Sequence, residues 1–135
     1  MKSYTNLEQS RKLAEFLPIE SADMWWPYYY DVISDTGEYD KEPMLHKPIC
    51  DPDKAIPCWS LAALLDALPG GCFNEMHRLS LINSNPNEDA EWLCCYEDYE
   101  GNMVFECYAG NQVDACVEMI YKLKKKGLLQ YEILY

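Results

Sequence analysis

Long apolar runs are missing from this chain of 135 residues, and none approaches the ~20 consecutive apolar positions of a membrane-spanning helix. The first residues, Met1-Lys2-Ser3-Tyr4-Thr5-Asn6, lead into a polar helical pattern rather than the apolar core of a secretory signal. A cytoplasmic location is therefore the default expectation, with no membrane association. Basic residues are also scarce, 11 Lys and Arg against 23 Asp and Glu, which gives a formal charge of −12. Two spans contain no base at all. Leu13–Asp40 holds seven acids and Leu79–Tyr121 holds nine. Such a surface repels phosphate backbones, so direct nucleic-acid binding through a basic footprint is not expected.

Cysteine is not scarce, but the pairings that give it a chemical role are missing. The seven cysteines are an odd number and include no C-x-x-C pair. Several occupy positions suited to small core residues, where a reduced thiol behaves as a small hydrophobe, so free thiols are expected. His46, Cys50 and Cys58 fit no compact zinc spacing. Cys72 and His77 lack a nucleophile signature around them. No metal, no cofactor and no catalytic residue is assigned.

What is present is mainly architectural. From Asn111 to Leu129, the residues Val113, Cys116, Val117, Ile120, Leu123 and Gly127 recur at helical spacing. Asn111 suits the N-cap, Asp114 the positive end of the dipole, and Lys122 to Lys126 the negative end. Gly127 suits the C′ stop, while Lys124 falls on the apolar face and has to sit at its rim. A first helix is predicted to about Leu17, with Thr5 as N-cap and Glu8 completing a capping box. Another spans Pro57–Pro69, with Leu61, Leu64, Leu65 and Leu68 facing the core and Trp59, Ala62, Ala63 and Asp66 on the opposite side.

Between these, Met76–Ala109 reads as a three-strand antiparallel meander with turns at Ser84–Asn87 and Tyr99–Asn102. Ser21–Ile33 reads as an aromatic edge strand interrupted at Pro27. The proline-rich stretch 34–57 reads as a long irregular loop, and a short strand is expected to end the chain at Leu129–Tyr135.

Three blocks look familiar together: Ser21-Ala22-Asp23-Met24-Trp25, Pro57-Cys58-Trp59-Ser60-Leu61-Ala62-Ala63-Leu64-Leu65 and Asn111-Gln112-Val113-Asp114-Ala115-Cys116-Val117-Glu118-Met119. They resemble small uncharacterised α+β proteins found in gut anaerobes, their mobile elements and their phages. The resemblance implies an intracellular α+β protein and brings no catalytic residue with it.

The expected fold is a single α+β domain over 1–135, an antiparallel sheet of three-strand meander plus edge strands packed against about three helices. The leading functional expectation is a non-catalytic protein-interaction module using an acidic or aromatic surface toward a basic partner. The alternative is a small-molecule binder or enzyme with a pocket between the aromatic strand, the long loop and the Trp59 helix. A homodimer through the aromatic strand is a third possibility. Candidate binding residues are Trp25, Trp26, Tyr28, Tyr30, Trp59, Asp66, Glu97, Asp98 and Glu100.

Overall fold

The structure, a computed structural model, describes residues 2–45, 54–70, 78–83 and 91–129. It is an α+β protein whose strands all pair antiparallel, in sheets of two, two and three strands. The expected single sheet with edge strands is thus three separate sheets among the described residues, because the aromatic segment pairs locally. Its contacts group into two compact units, one of Tyr4–Ala63 and one of Met1–Ser3 with Leu64–Tyr135.

The first unit opens with α1 (Leu7–Ala14). Its capping box sits one residue later than the sequence reading placed it. Asn6 Oδ1 accepts from the Gln9 N–H at 2.7 Å, and Gln9 Oε1 accepts from the Asn6 N–H at 3.0 Å. Thr5 is displaced from the cap because it is needed inside. Its hydroxyl is buried, accepts from the Trp59 N–H at 3.1 Å and lies 2.7 Å from Ser10 Oγ. Ser10 in turn accepts from the Trp26 indole N–H at 3.1 Å. These hydroxyls let two tryptophans be buried with their polar atoms bonded.

Strands β1 (Met24–Trp26) and β2 (Tyr28–Asp31) are separated by buried Pro27, as the sequence implied. β3 (Thr36–Tyr39) pairs with β2 in register from Tyr28↔Tyr39 to Asp31↔Thr36. The stretch read as loop from 34 therefore starts as a hairpin, a strand the sequence masks because Gly37 interrupts its side-chain pattern. That glycine has a reason to be there. A Cβ at position 37 would run into the ring of Tyr28.

β4 (Ile56–Cys58) pairs with β1 and packs under α1. Pro57 sits opposite Trp25, where the missing N–H costs nothing, because Trp25 exchanges both backbone bonds with Met44 at 2.7 Å.

Helix α2 (Leu61–Ala67) straddles the boundary between the units. Ser60 caps it, accepting from the Ala63 N–H at 3.2 Å, and Asp23 fixes Ser60 through its hydroxyl and its backbone N–H. The buried stripe is Ala63, Leu64, Ala67 and Leu68, while Leu61 and Leu65 are half-buried. The buried face is rotated toward the alanines.

In the second unit, β5 (Arg78–Asn83), β6 (Trp92–Glu97) and β7 (Met103–Ala109) form the predicted meander in the order β5-β6-β7. α3 (Gln112–Lys125) packs on β6 and β7. Its ends follow the sequence reading. Asn111 accepts from the Asp114 N–H at 2.8 Å. Gly127 takes φ 71°, and the Leu128 N–H reaches back to the Leu123 carbonyl at 2.9 Å. Lys124 is exposed at the rim. The first meander turn, the terminal strand, and His46, Cys50, Cys72 and His77 lie outside the described residues.

Candidate functional site

The β2–β3 hairpin places its side chains by strand alternation. Tyr28, Tyr30, Gly37 and Tyr39 share one face, and Tyr29, Asp31, Thr36 and Glu38 the other. On the first face the Tyr28 and Tyr39 rings meet edge to face, 5.0 Å between centroids. Lys54 Nζ lies 4.8 Å from the Tyr28 centroid and the Arg11 guanidinium 5.2 Å from that of Tyr39. This protein's own cations thus already use the hairpin's rings as seats.

Polar groups hold the turn between the strands. Asp31 accepts from the Ile33 N–H at 3.0 Å, and Ser34 Oγ lies 2.8 Å from Thr36 Oγ1. Asp35 adopts φ 54°, a left-handed conformation its short polar side chain tolerates, and accepts from the Tyr30 hydroxyl. Hydrogen bonds from the Ser34 side chain and the Ile33 backbone hold the Asp31 carboxyl below the usual carboxylate range. Val32 and Ile33 contribute nothing to this scaffold by packing. They are 81% and 98% exposed, beside Tyr29 and Tyr30 at 46% and 50%.

Two shallow depressions flank the strands. One of about 300 Å³ is lined by Tyr29, Tyr30, Asp31, Thr36, Gly37 and Glu38. The other, about 220 Å³, shares Tyr29 and Glu38 and adds Tyr39, Asp40 and Lys41. Each sets carboxylates beside an aromatic ring, which suits an incoming guanidinium or ammonium group.

The sequence-predicted site residues scatter. Tyr30 lies on the hairpin surface, and Tyr28 is half-buried beneath Lys54. Trp25 is half-buried in the β1 pairing. Trp26 and Trp59 are corrections: both are buried, with their indole N–H groups bonded to Ser10 and Ser21, and neither offers surface to a partner. Trp59 precedes α2 rather than lying on its outer face, so it supplies no wall to the pocket anticipated there. Asp66 is exposed on α2.

Glu97 and Asp98 are committed to structure rather than free at a turn. Glu97 pairs with Arg78 across the ladder at 2.7 Å. Asp98 accepts from the N–H groups of Glu100 and Asn102, each at 2.9 Å, and so shapes the turn itself. Only Glu100 of the three is exposed. Sequence reasoning missed Val32, Ile33, Tyr29 and Glu38. The available signal was a β-branched pair set among Asp, Ser and Gly, where turn chemistry calls for polar residues.

The described cysteines Cys58, Cys94, Cys95, Cys107 and Cys116 are free thiols. Cys94 and Cys116 share a hydrogen bond that keeps Cys94 protonated well above the ordinary thiol range. Burial raises Cys58, Cys95 and Cys107. Cys116 is lowered by the bond from Cys94 but has no exposed surface. A raised thiol holds less thiolate at a given pH, so alkylation of the other four in the native protein should be slow near neutrality and accelerate only above the ordinary thiol range. Cys107, half-buried in a cleft, should react first of these five, and denaturation should release seven titratable thiols. Mass-spectrometric mapping of iodoacetamide adducts against pH checks both the order and the direction.

No helix of the described residues is long and apolar enough to cross a membrane. No family model, curated protein or solved structure matches the chain.

Proposed function

We propose that this chain is a non-catalytic, cytoplasmic protein-interaction module whose β2–β3 hairpin docks a basic, apolar-faced segment of a protein partner. The observation that carries the reading is the turn: Val32 and Ile33 stand largely in solvent while polar bonds hold the turn's shape. Exposed apolar groups rimmed by charge mark an interaction surface. The rim supplies the sign. Asp31 and Asp35 lie at the turn and Glu38 on the adjoining strand, while Lys54 and Arg11 sit over the Tyr28 and Tyr39 rings at the other end of the hairpin. A second copy of the same hairpin would bring these carboxylates together, which disfavours a homodimer and favours a cationic partner.

A fluorescent peptide alternating Lys or Arg with Val or Phe tests the reading beside its Glu-for-Lys and Gln-for-Lys counterparts. The basic peptide should bind best, with affinity falling as salt rises. V32S/I33S and D31N/E38Q should each weaken it about tenfold, or about 1.4 kcal/mol. Equal binding of all three peptides, or unchanged affinity in both variants, would refute the assignment.

A further inference from the structure

A cluster of cations runs against the molecule's overall acidity. Lys122, Lys125 and Lys126, on α3 and its C-cap, line a cleft of about 580 Å³ whose walls are completed by Cys107, Glu118 and Tyr121. Spaced three and four residues apart, the lysines project from one helix face and repel one another. Lys122 Nζ donates to the Glu106 carbonyl at 3.1 Å, and Lys126 Nζ lies 5.6 Å from the Phe105 centroid. Neither contact neutralises charge, and among the described residues none of the three lysines forms an ion pair. Cations near a helix C-terminus complement its dipole. That effect asks for positive charge at the helix end, and does not require it to gather over a concavity.

We propose that this cleft binds a small phosphate monoester carrying a hydroxylated body, of the sugar phosphate or mononucleotide type. The cleft volume falls within the ~300–1,000 Å³ usual for small-molecule sites. Ammonium groups are suited to phosphate as mobile point charges, and a concave wall concentrates their potential. Glu118, one turn before Lys122, sets the rest of the ligand. It repels a bare anion but accepts a hydrogen bond from a hydroxyl placed a few ångströms from the phosphate. Cys107 and the Tyr121 ring offer the less polar wall. A phosphate polymer is disfavoured, because the rest of the chain carries the opposite sign, whereas a small ligand meets only the cleft.

The test titrates ribose 5-phosphate, adenosine 5′-monophosphate, inorganic phosphate and ribose into the full chain at about 0.15 M salt, followed by calorimetry and amide NMR. The monoesters should bind with Kd below about 1 mM, shift the resonances of Tyr121–Lys126 and slow alkylation of Cys107. K125Q/K126Q, at exposed positions, should raise Kd at least tenfold while leaving the protein folded, with only the small fall in unfolding midpoint expected from losing the dipole and Phe105 contacts. K122Q alone should raise Kd more weakly. E118Q should erase the preference for ribose 5-phosphate over inorganic phosphate. Ribose binding as well as its phosphate, or monoester affinity unaffected by the lysine variants, would overturn the site. Inorganic phosphate binding as tightly as the esters would overturn the hydroxylated body.

Discussion

Ile120→Ala should lower the unfolding free energy by about 2–5 kcal/mol, the usual range for truncating a fully buried aliphatic side chain to alanine. Ile120 has no exposed surface, and it sits on α3 with Val113, Cys116, Val117 and Leu123, all buried where the helix packs on β6 and β7. The gain in helix propensity on changing isoleucine to alanine is at most about 0.7 kcal/mol and cannot cancel the loss. Urea denaturation followed by far-UV circular dichroism measures the difference. A loss below about 0.5 kcal/mol, the scale of surface changes, would place the wrong face of α3 inward.

Thr5→Val should cost about 2–4 kcal/mol although the two side chains have nearly the same shape. The new methyl group cannot accept from the Trp59 N–H and cannot bond the Ser10 hydroxyl, so buried polar groups lose partners. Ser10 still accepts from the Trp26 indole, which limits the damage to one side of the network. Thr5→Ser keeps the hydroxyl and loses only a methyl group, a cost of about 1 kcal/mol. The ordering is the decisive quantity. A serine variant less stable than the valine variant would show that Thr5 acts through its bulk rather than its oxygen.

The parts of the fold legible in the sequence were those where local chemistry and tertiary packing agree. α3 shows this most fully, since its cap, its stripe, its dipole charges and its terminal glycine each point to the same element. The meander was legible because turn residues bound apolar strand segments, although in β6 burial runs unbroken from Leu93 to Tyr96 instead of alternating. The N-terminal cap was misplaced by one residue because Thr5 and Asn6 both suit a cap. What chose between them was a bond to Trp59, more than fifty positions away.

The candidate site was hidden for a related reason. Trp26 and Trp59 advertise themselves by size, yet serine partners allow both to be buried. Val32 and Ile33 look ordinary in the sequence, and only their exposure in the fold shows how little they bury. Composition revealed the acidity but not its division of labour: Glu97 and Asp98 pair and shape a turn, while Asp31 holds one turn and rims the proposed docking surface.

The polar scaffold of that hairpin turn has a consequence for how the protein can change. Since Asp31, Ser34, Asp35, Thr36 and the Ile33 backbone N–H fix the turn without help from the side chains at 32 and 33, those two side chains are largely decoupled from folding. Folding stability therefore constrains them little, and in the proposed docking role they are the positions where a change would alter the partner and not the fold. Under the proposed docking role the pair would be a two-letter address, rewritable to a new recipient while the remainder of the molecule stays as it is.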